Sequence, residues 1–212
     1  MVGSAQRTRI KICGLTDPDM ALHAARSGAD AIGLVHHVPS PRHVTPETAA
    51  AIARALPAFV ARVALFVDAA PEQVREFIRV VQPDLLQFHG EESAAYCQQF
   101  DRPYIKAVRM QSGVDLLQYA ADHAQAKGLL LDAWVEGVAG GSGVTFDWAR
   151  IPSALPLPLI LSGGLDALNV GEAIRRVRPW AVDVSSGVER QRGVKDAAKI
   201  VQFITGVNDA QG

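Results

Sequence analysis

The sequence predicts an α/β fold: a single-domain (β/α)8 barrel with the TIM-barrel architecture. Three observations predict it. Eight short apolar runs recur along the chain, amphipathic stretches separate most of them, and glycine-rich clusters follow the last three. Strict alternation of strand and helix implies parallel strands, because parallel neighbours need crossover connections. An open doubly wound sheet also alternates in this way. The count of eight and the late position of the glycine clusters favour the closed barrel.

The runs, in order, are RIKIC (9–13), AIGLV (31–35), RVALFV (62–67), LLQF (85–88), YIKAV (104–108), GLLLDA (128–133), LPLILS (157–162) and AVDVS (181–185). Several are almost continuously apolar, as strands covered on both faces should be. Helix starts are marked between them. Asp17-Pro18 and Thr45-Pro46-Glu47 each offer a capping side chain followed by proline at the first helical position. Pro71 opens PEQVREFIRVV, Asp166 precedes ALNVGEAIRRV, and GVKDAAKIVQFI closes the chain as the last helix. Gly28 suits the end of the first helix. The stretch 134–153 is glycine-rich and leaves room only for a short helix near Asp147. Residues 8–207 are expected to form the barrel, with flexible ends at 1–7 and 208–212.

Bulk properties narrow the function. The 212 residues suit one domain, and a formal net charge of −1 gives no footprint for nucleic acid or an anionic membrane. Two cysteines, Cys13 and Cys97, make no disulfide framework and point to reduced thiols in the cytoplasm. There is no signal-peptide pattern and no apolar run of membrane-spanning length. HExxH motifs and zinc-type Cys/His clusters are absent from the sequence, so no metal site is expected.

In such a barrel, chemistry belongs to the loops that leave the strand C-termini. Those loops hold Cys13, Arg42 in Ser40-Pro41-Arg42, His89 in Gln87-Phe88-His89-Gly90, and Asp132. Three clusters follow: Gly141-Ser142-Gly143, Ser162-Gly163-Gly164 and Ser185-Ser186-Gly187. Together they read as a phosphate site, since glycine lets backbone N–H groups approach an anion. Asp132 interrupts an apolar strand, so it must be hydrogen-bonded, paired or chemically used. Arg42 is either a surface cation or a fork for a carboxylate. Taken alone, Cys13 reads first as a small buried hydrophobe and His89 as a loop cap, ahead of any chemical role.

A family resemblance carries these readings further. KICGLT, GADAIGLV, SPRHV, ALFVD, LLQFHGEE, IKAVR, LLLDAW, GGSGVTFDW, ILSGGLDALNV and VDVSSGVE…GVKD stand in one order from Lys11 to Phe203. In this the chain resembles the phosphoribosylanthranilate isomerase family. The resemblance implies an Amadori rearrangement in tryptophan biosynthesis, without cofactor, turning N-(5-phosphoribosyl)anthranilate into 1-(2-carboxyphenylamino)-1-deoxyribulose 5-phosphate. It puts Cys13 in the place of the general base and Asp132 in that of the general acid. Arg42 takes the place of the arginine that holds the anthranilate carboxylate. The three glycine-rich loops match phosphate and ribose contacts, Asp183 lies near the sugar hydroxyls, and His89 joins the substrate contacts. The partner implied is a small phosphorylated molecule, and the chain a monomer or homodimer.

The chain departs from the family in GLVHHVPSPR, where aromatic residues often follow the glycine; His36 or His37 therefore bears on the wall around the aromatic ring. The chemistry needs Asp132 neutral and Cys13 ionised, each the minority form at neutral pH. Desolvation is expected to favour the first, and a helix N-terminus the second.

Overall fold

The computed structural model describes residues 7–133 and 146–211. Eight parallel strands close into a barrel in sequence order. They are β1 (Arg9–Cys13), β2 (Ala31–Val35), β3 (Ala61–Phe66), β4 (Leu85–Phe88), β5 (Tyr104–Arg109), β6 (Leu129–Asp132), β7 (Leu159–Leu161) and β8 (Ala181–Val184). β8 pairs back on β1 through Ile10↔Val182 and Lys11↔Asp183, which closes the ring. Seven α-helices lie among the described residues: α1 (Pro18–Ser27), α2 (Pro46–Ala55), α3 (Pro71–Val81), α4 (Ala94–Gln98), α5 (Leu116–Asp122), α6 (Val170–Val177) and α7 (Ala197–Asp209). None of the described helices is long and apolar enough to cross a membrane.

The local rules explain most boundaries. The Asp17 carboxylate accepts from Met20 N and the Thr45 hydroxyl from Thr48 N, each beside a proline in the first turn. Gly28, at φ 114°, ends α1 in the left-handed conformation. β7 is shorter than the apolar run around it. Pro156 and Pro158 bring no N–H to the ladder, so pairing starts at Leu159, with the Pro158 carbonyl accepting from Leu129 N. Trp148–Arg150 forms the expected short turn of 3-10 helix after Asp147.

Two expectations are corrected. The GVKD segment is not helical: β9 (Glu189–Gln191) pairs antiparallel with β10 (Val194–Lys195), and α7 starts after the Asp196 cap. α6 starts four residues beyond Asp166, whose carboxylate instead accepts from Leu168 N and Asn169 N in a turn. α7 also runs two residues past 207, and the Gln211 side chain accepts from Thr8 N at 2.7 Å.

Strand parity divides the core. Ile10, Ile12, Ile32, Leu34, Leu86, Phe88, Val182 and Val184 face the helices and pack with Phe77, Ile200 and Phe203 in the main core. Ile105, Ala107, Leu130, Ile160 and Ala181 fill the barrel interior. The same parity turns Cys13, Val35, Leu65, Gln87, Asp132 and Asp183 inward at or near the strand C-termini. Their loops shape one cavity.

Candidate active site

That cavity is lined by Cys13, Val35, His37, Arg42, Leu65, Gln87, His89, Asp132, Ser162, Gly163, Gly164, Asp183, Ser185 and Ser186, among others. Sequence-predicted residues from β1, β4, β6, β7 and β8 and the loop after β2 therefore meet at one place. Gly141, Ser142 and Gly143 lie outside the described residues. Gly187 does not line the cavity: a Cβ there would collide with the Leu165 carbonyl, so its smallness lets two loops pack.

Cys13 is buried at the end of β1. Burial pushes its thiol up, Lys11 and Lys195 pull it back, and Asp183 adds to the rise. The cations at the thiol are thus lysines, and the expected helix N-terminus gives way to them: α1 does not begin until Pro18. Lys11 lies two residues before Cys13 on the same face, and its ammonium donates to Asp183 at 2.7 Å. The second Asp183 oxygen accepts from the Ser162 hydroxyl at 3.3 Å.

Asp132 ends β6 and is 5% exposed. Its Oδ2 lies 3.1 Å from His89 Nε2, and His89 Nδ1 lies 3.0 Å from the Gln87 amide nitrogen. With that amide donating to Nδ1, the ring proton sits on Nε2 and donates to Asp132. His89 is therefore more than a loop cap. Its loop is braced from behind: the Lys106 ammonium donates to the Gly90 carbonyl at 2.5 Å and to Glu92 at 3.1 Å. Glu92 in turn accepts from Gly90 N and Asp68 N, each at 2.9 Å.

Arg42 is a buried fork and not a surface cation. Its Nε and Nη2 donate to the two Glu189 oxygens at 2.7 and 2.9 Å. Lys195 donates to the same carboxylate at 2.8 Å and to the Ser185 carbonyl at 2.9 Å. Burial alone would raise the Glu189 carboxyl; hydrogen bonds from Arg42 and Lys195, with the Lys195 charge, overcome it and hold it at about 2. Gly14, at φ 78°, lets the arginine pass, since a Cβ there would sit 2.5 Å from Arg42 Cδ. Arg42 Nη1 lies outside this fork, and the residue lines the cavity.

The glycines after β7, Gly163 at φ 81° and Gly164 at φ 65°, turn that loop through the left-handed region. Asn169 ties it down by donating to the Gly164 carbonyl at 2.8 Å. Opposite, Val35 and Leu65 pack with Cys13 into an apolar wall. The two histidines of GLVHHV divide their tasks. His36 turns outward, its Nδ1 3.1 Å from the Val44 carbonyl and its ring against Phe66 and Phe77. His37 lines the cavity, and burial with nearby Arg109 and His89 lowers its pKa, against the pull of Asp68.

Sequence reasoning missed Lys11, Glu189, Lys195 and Gln87. A signal was present: each is a polar residue inside an apolar run or a motif, and a buried charge needs a partner.

Residues 10–206 match the family model for N-(5′-phosphoribosyl)anthranilate (PRA) isomerase. The chain is 56% identical over 197 residues to the N-(5′-phosphoribosyl)anthranilate isomerase of Thiobacillus denitrificans, covering 93% of this chain and 96% of that one. The phosphoribosyl anthranilate isomerase structure from Thermotoga maritima superposes with a TM-score of 0.84 at 39% identity, over 95% of this chain and 99% of the other. A further phosphoribosyl anthranilate isomerase structure, in complex with reduced 1-(o-carboxyphenylamino)-1-deoxyribulose 5-phosphate, matches with a TM-score of 0.81 at 38% identity, over 95% and 99% of the two chains. By sequence and fold, this chain belongs to the phosphoribosylanthranilate isomerase family.

Proposed function

We propose that the protein converts N-(5-phosphoribosyl)anthranilate into 1-(2-carboxyphenylamino)-1-deoxyribulose 5-phosphate at this cavity, as a step of tryptophan biosynthesis. The observation that carries the reading is that Cys13 of β1 and Asp132 of β6 face one cavity. An Amadori rearrangement needs an acid and a base at different atoms of one sugar. Asp132, with His89 behind it, protonates the ribose ring oxygen, and the ring opens to a Schiff base. The Cys13 thiolate removes the C2 proton, and the resulting enolamine tautomerises to the ketone. The hydrogen shift is internal and consumes no oxidant or reductant.

The remaining residues hold the substrate. Arg42, fixed by Glu189, offers Nη1 to the anthranilate carboxylate beside the apolar wall of Val35 and Leu65. The phosphate lies against backbone N–H groups of Gly163, Gly164, Ser185 and Ser186, and by the family motif Gly141, Ser142 and Gly143 join them. Gly187, which lets this loop pack against Leu165, belongs to the same phosphate set. Asp183 faces the sugar hydroxyls while tied to Lys11 and Ser162. The setting is the cytoplasm, which suits two free cysteines.

The test is the loss of phosphoribosylanthranilate fluorescence when purified protein is added, with the product identified by mass and chromatography. Rapid conversion is expected. A folded protein that leaves the substrate unchanged overturns the proposal.

A further inference from the structure

Lys11 has no part in the mechanism above, yet it is a buried lysine inside a barrel, 5% exposed. Such an ammonium is costly unless paired. Asp183 takes one of its three donors at 2.7 Å, and Cys13 follows two residues on, along the same inward face of β1. Residues two apart on one strand share a face, and the register Lys11↔Asp183 sets the carboxylate beside them on β8. Lys11, Asp183 and Cys13 thus lie together, with Cys13 and Asp183 on the wall of the cavity and Lys11 one inward position below Cys13 on β1.

The charges around the thiol are not balanced. Lys11, Arg42 and Lys195 are cations, Asp183 and Glu189 carboxylates, and all five are buried. Of these, Lys11, Lys195 and Asp183 act directly on the thiol, two cations against one carboxylate, and the Asp132 carboxyl lines the same cavity. On the thiol's other flank β2 contributes no charge, only Gly33 in register with Cys13, and beyond it Val35. A thiolate at Cys13 neutralises the cluster, and a thiol does not.

We propose that Lys11 is the counter-ion of the Cys13 thiolate, shared between that sulfur and Asp183, so that Asp183 sets how strongly Lys11 stabilises the ionised base. Lys11 is a positioning residue: it acts through Cys13 and touches no substrate atom. The proposal rests on the reading of Cys13 as the general base. It assigns opposite effects to the two partners. Removing the ammonium leaves burial and the Asp183 charge to oppose ionisation. Removing the Asp183 charge frees the ammonium for the sulfur.

The experiment is a thiolate titration by ultraviolet absorbance on the full chain, from about pH 6 to about pH 11, read as the difference from Cys13→Ser. The difference cancels the tyrosines, and Cys97, whose thiol burial pushes up to about 12, stays out of range. In Lys11→Met the midpoint is expected to rise by about one pH unit or more, a tenfold loss of thiolate at fixed pH. In Asp183→Asn it is expected to fall. A Lys11→Met midpoint unchanged or lowered overturns the proposal. So does a raised midpoint in Asp183→Asn, which decides the matter alone if Lys11→Met does not fold. The acid limb of kcat/KM, measured on the same variants, should follow the thiol. If the thiol midpoint moves and the limb does not, the counter-ion assignment stands and the base role of Cys13 fails.

Discussion

Glu189→Gln is the most informative single perturbation of the site's scaffold. The wild-type carboxylate accepts both prongs of the Arg42 fork, the Lys195 ammonium and Gly193 N. Its carboxyl is held at about 2, against an ordinary glutamate value of 4.5. That lowering by roughly 2–2.5, at about 1.4 kcal/mol per pH unit, gives about 3–3.5 kcal/mol of stability. That agrees with the roughly 3–5 kcal/mol for removing one member of a buried ion pair. The glutamine keeps one acceptor but turns an NH2 group toward cations, so most of this is lost. For a chain of this size the melting temperature should drop by about 6–12 °C. The pH dependence has a definite sign. The folded pKa is depressed, so the contribution is full above about pH 4.5 and disappears as pH falls through about 2. Thermal unfolding followed by circular dichroism should therefore show a gap between wild type and variant at pH 7 that narrows on acidification. KM should rise as well, because Arg42 loses its anchor. Equal melting temperatures at pH 7, or a gap that does not narrow in acid, would refute the reasoning.

Arg42→Ala should raise KM more than it lowers kcat, since the guanidinium binds a group remote from the reacting carbons; steady-state kinetics showing the reverse would count against a binding role. Gly14→Ala places a methyl on Arg42 Cδ in a backbone conformation that disfavours alanine. It should lower the melting temperature and raise KM together, and a variant identical to wild type in both would contradict the packing argument. Asp132→Asn removes the proposed acid, so it should change the shape of the pH–rate profile, and an unaltered profile measured on its residual activity would count against that role.

Much of this molecule is legible in its sequence, and the reasons are local. RIKIC, AIGLV and AVDV read as strands because β-branched residues recur where both faces are covered, and the structure ends those strands within a residue of the expected positions. Asp17-Pro18 and Thr45-Pro46 marked their helices because capping is a contact between near neighbours. The meeting of Cys13, Arg42, His89, Asp132 and Asp183 followed from one rule, that strand C-termini share a face of the barrel. What stayed hidden depends on long-range pairing. Arg42 and Glu189 are 147 residues apart, and Lys11 and Asp183 are 172 apart, so no local pattern couples them. β10 falls inside GVKDAAKIVQFI, which reads as one helix because its amphipathic pattern is continuous, and only the Asp196 cap separates strand from helix. Gly187 shows how much a glycine can carry at once: close packing against the Leu165 carbonyl also requires it, which the phosphate-type motif does not reveal.

The central claim is that Cys13 and Asp132 act on one sugar from two sides. Its most direct test is the turnover of saturating phosphoribosylanthranilate, followed by fluorescence, for wild type, Cys13→Ala and Asp132→Ala, each shown to be folded. The account predicts that wild type converts the substrate and that each variant loses roughly 10²–10⁴-fold in kcat, the range expected for removing a general acid or base. Either variant turning over at the wild-type rate would contradict it.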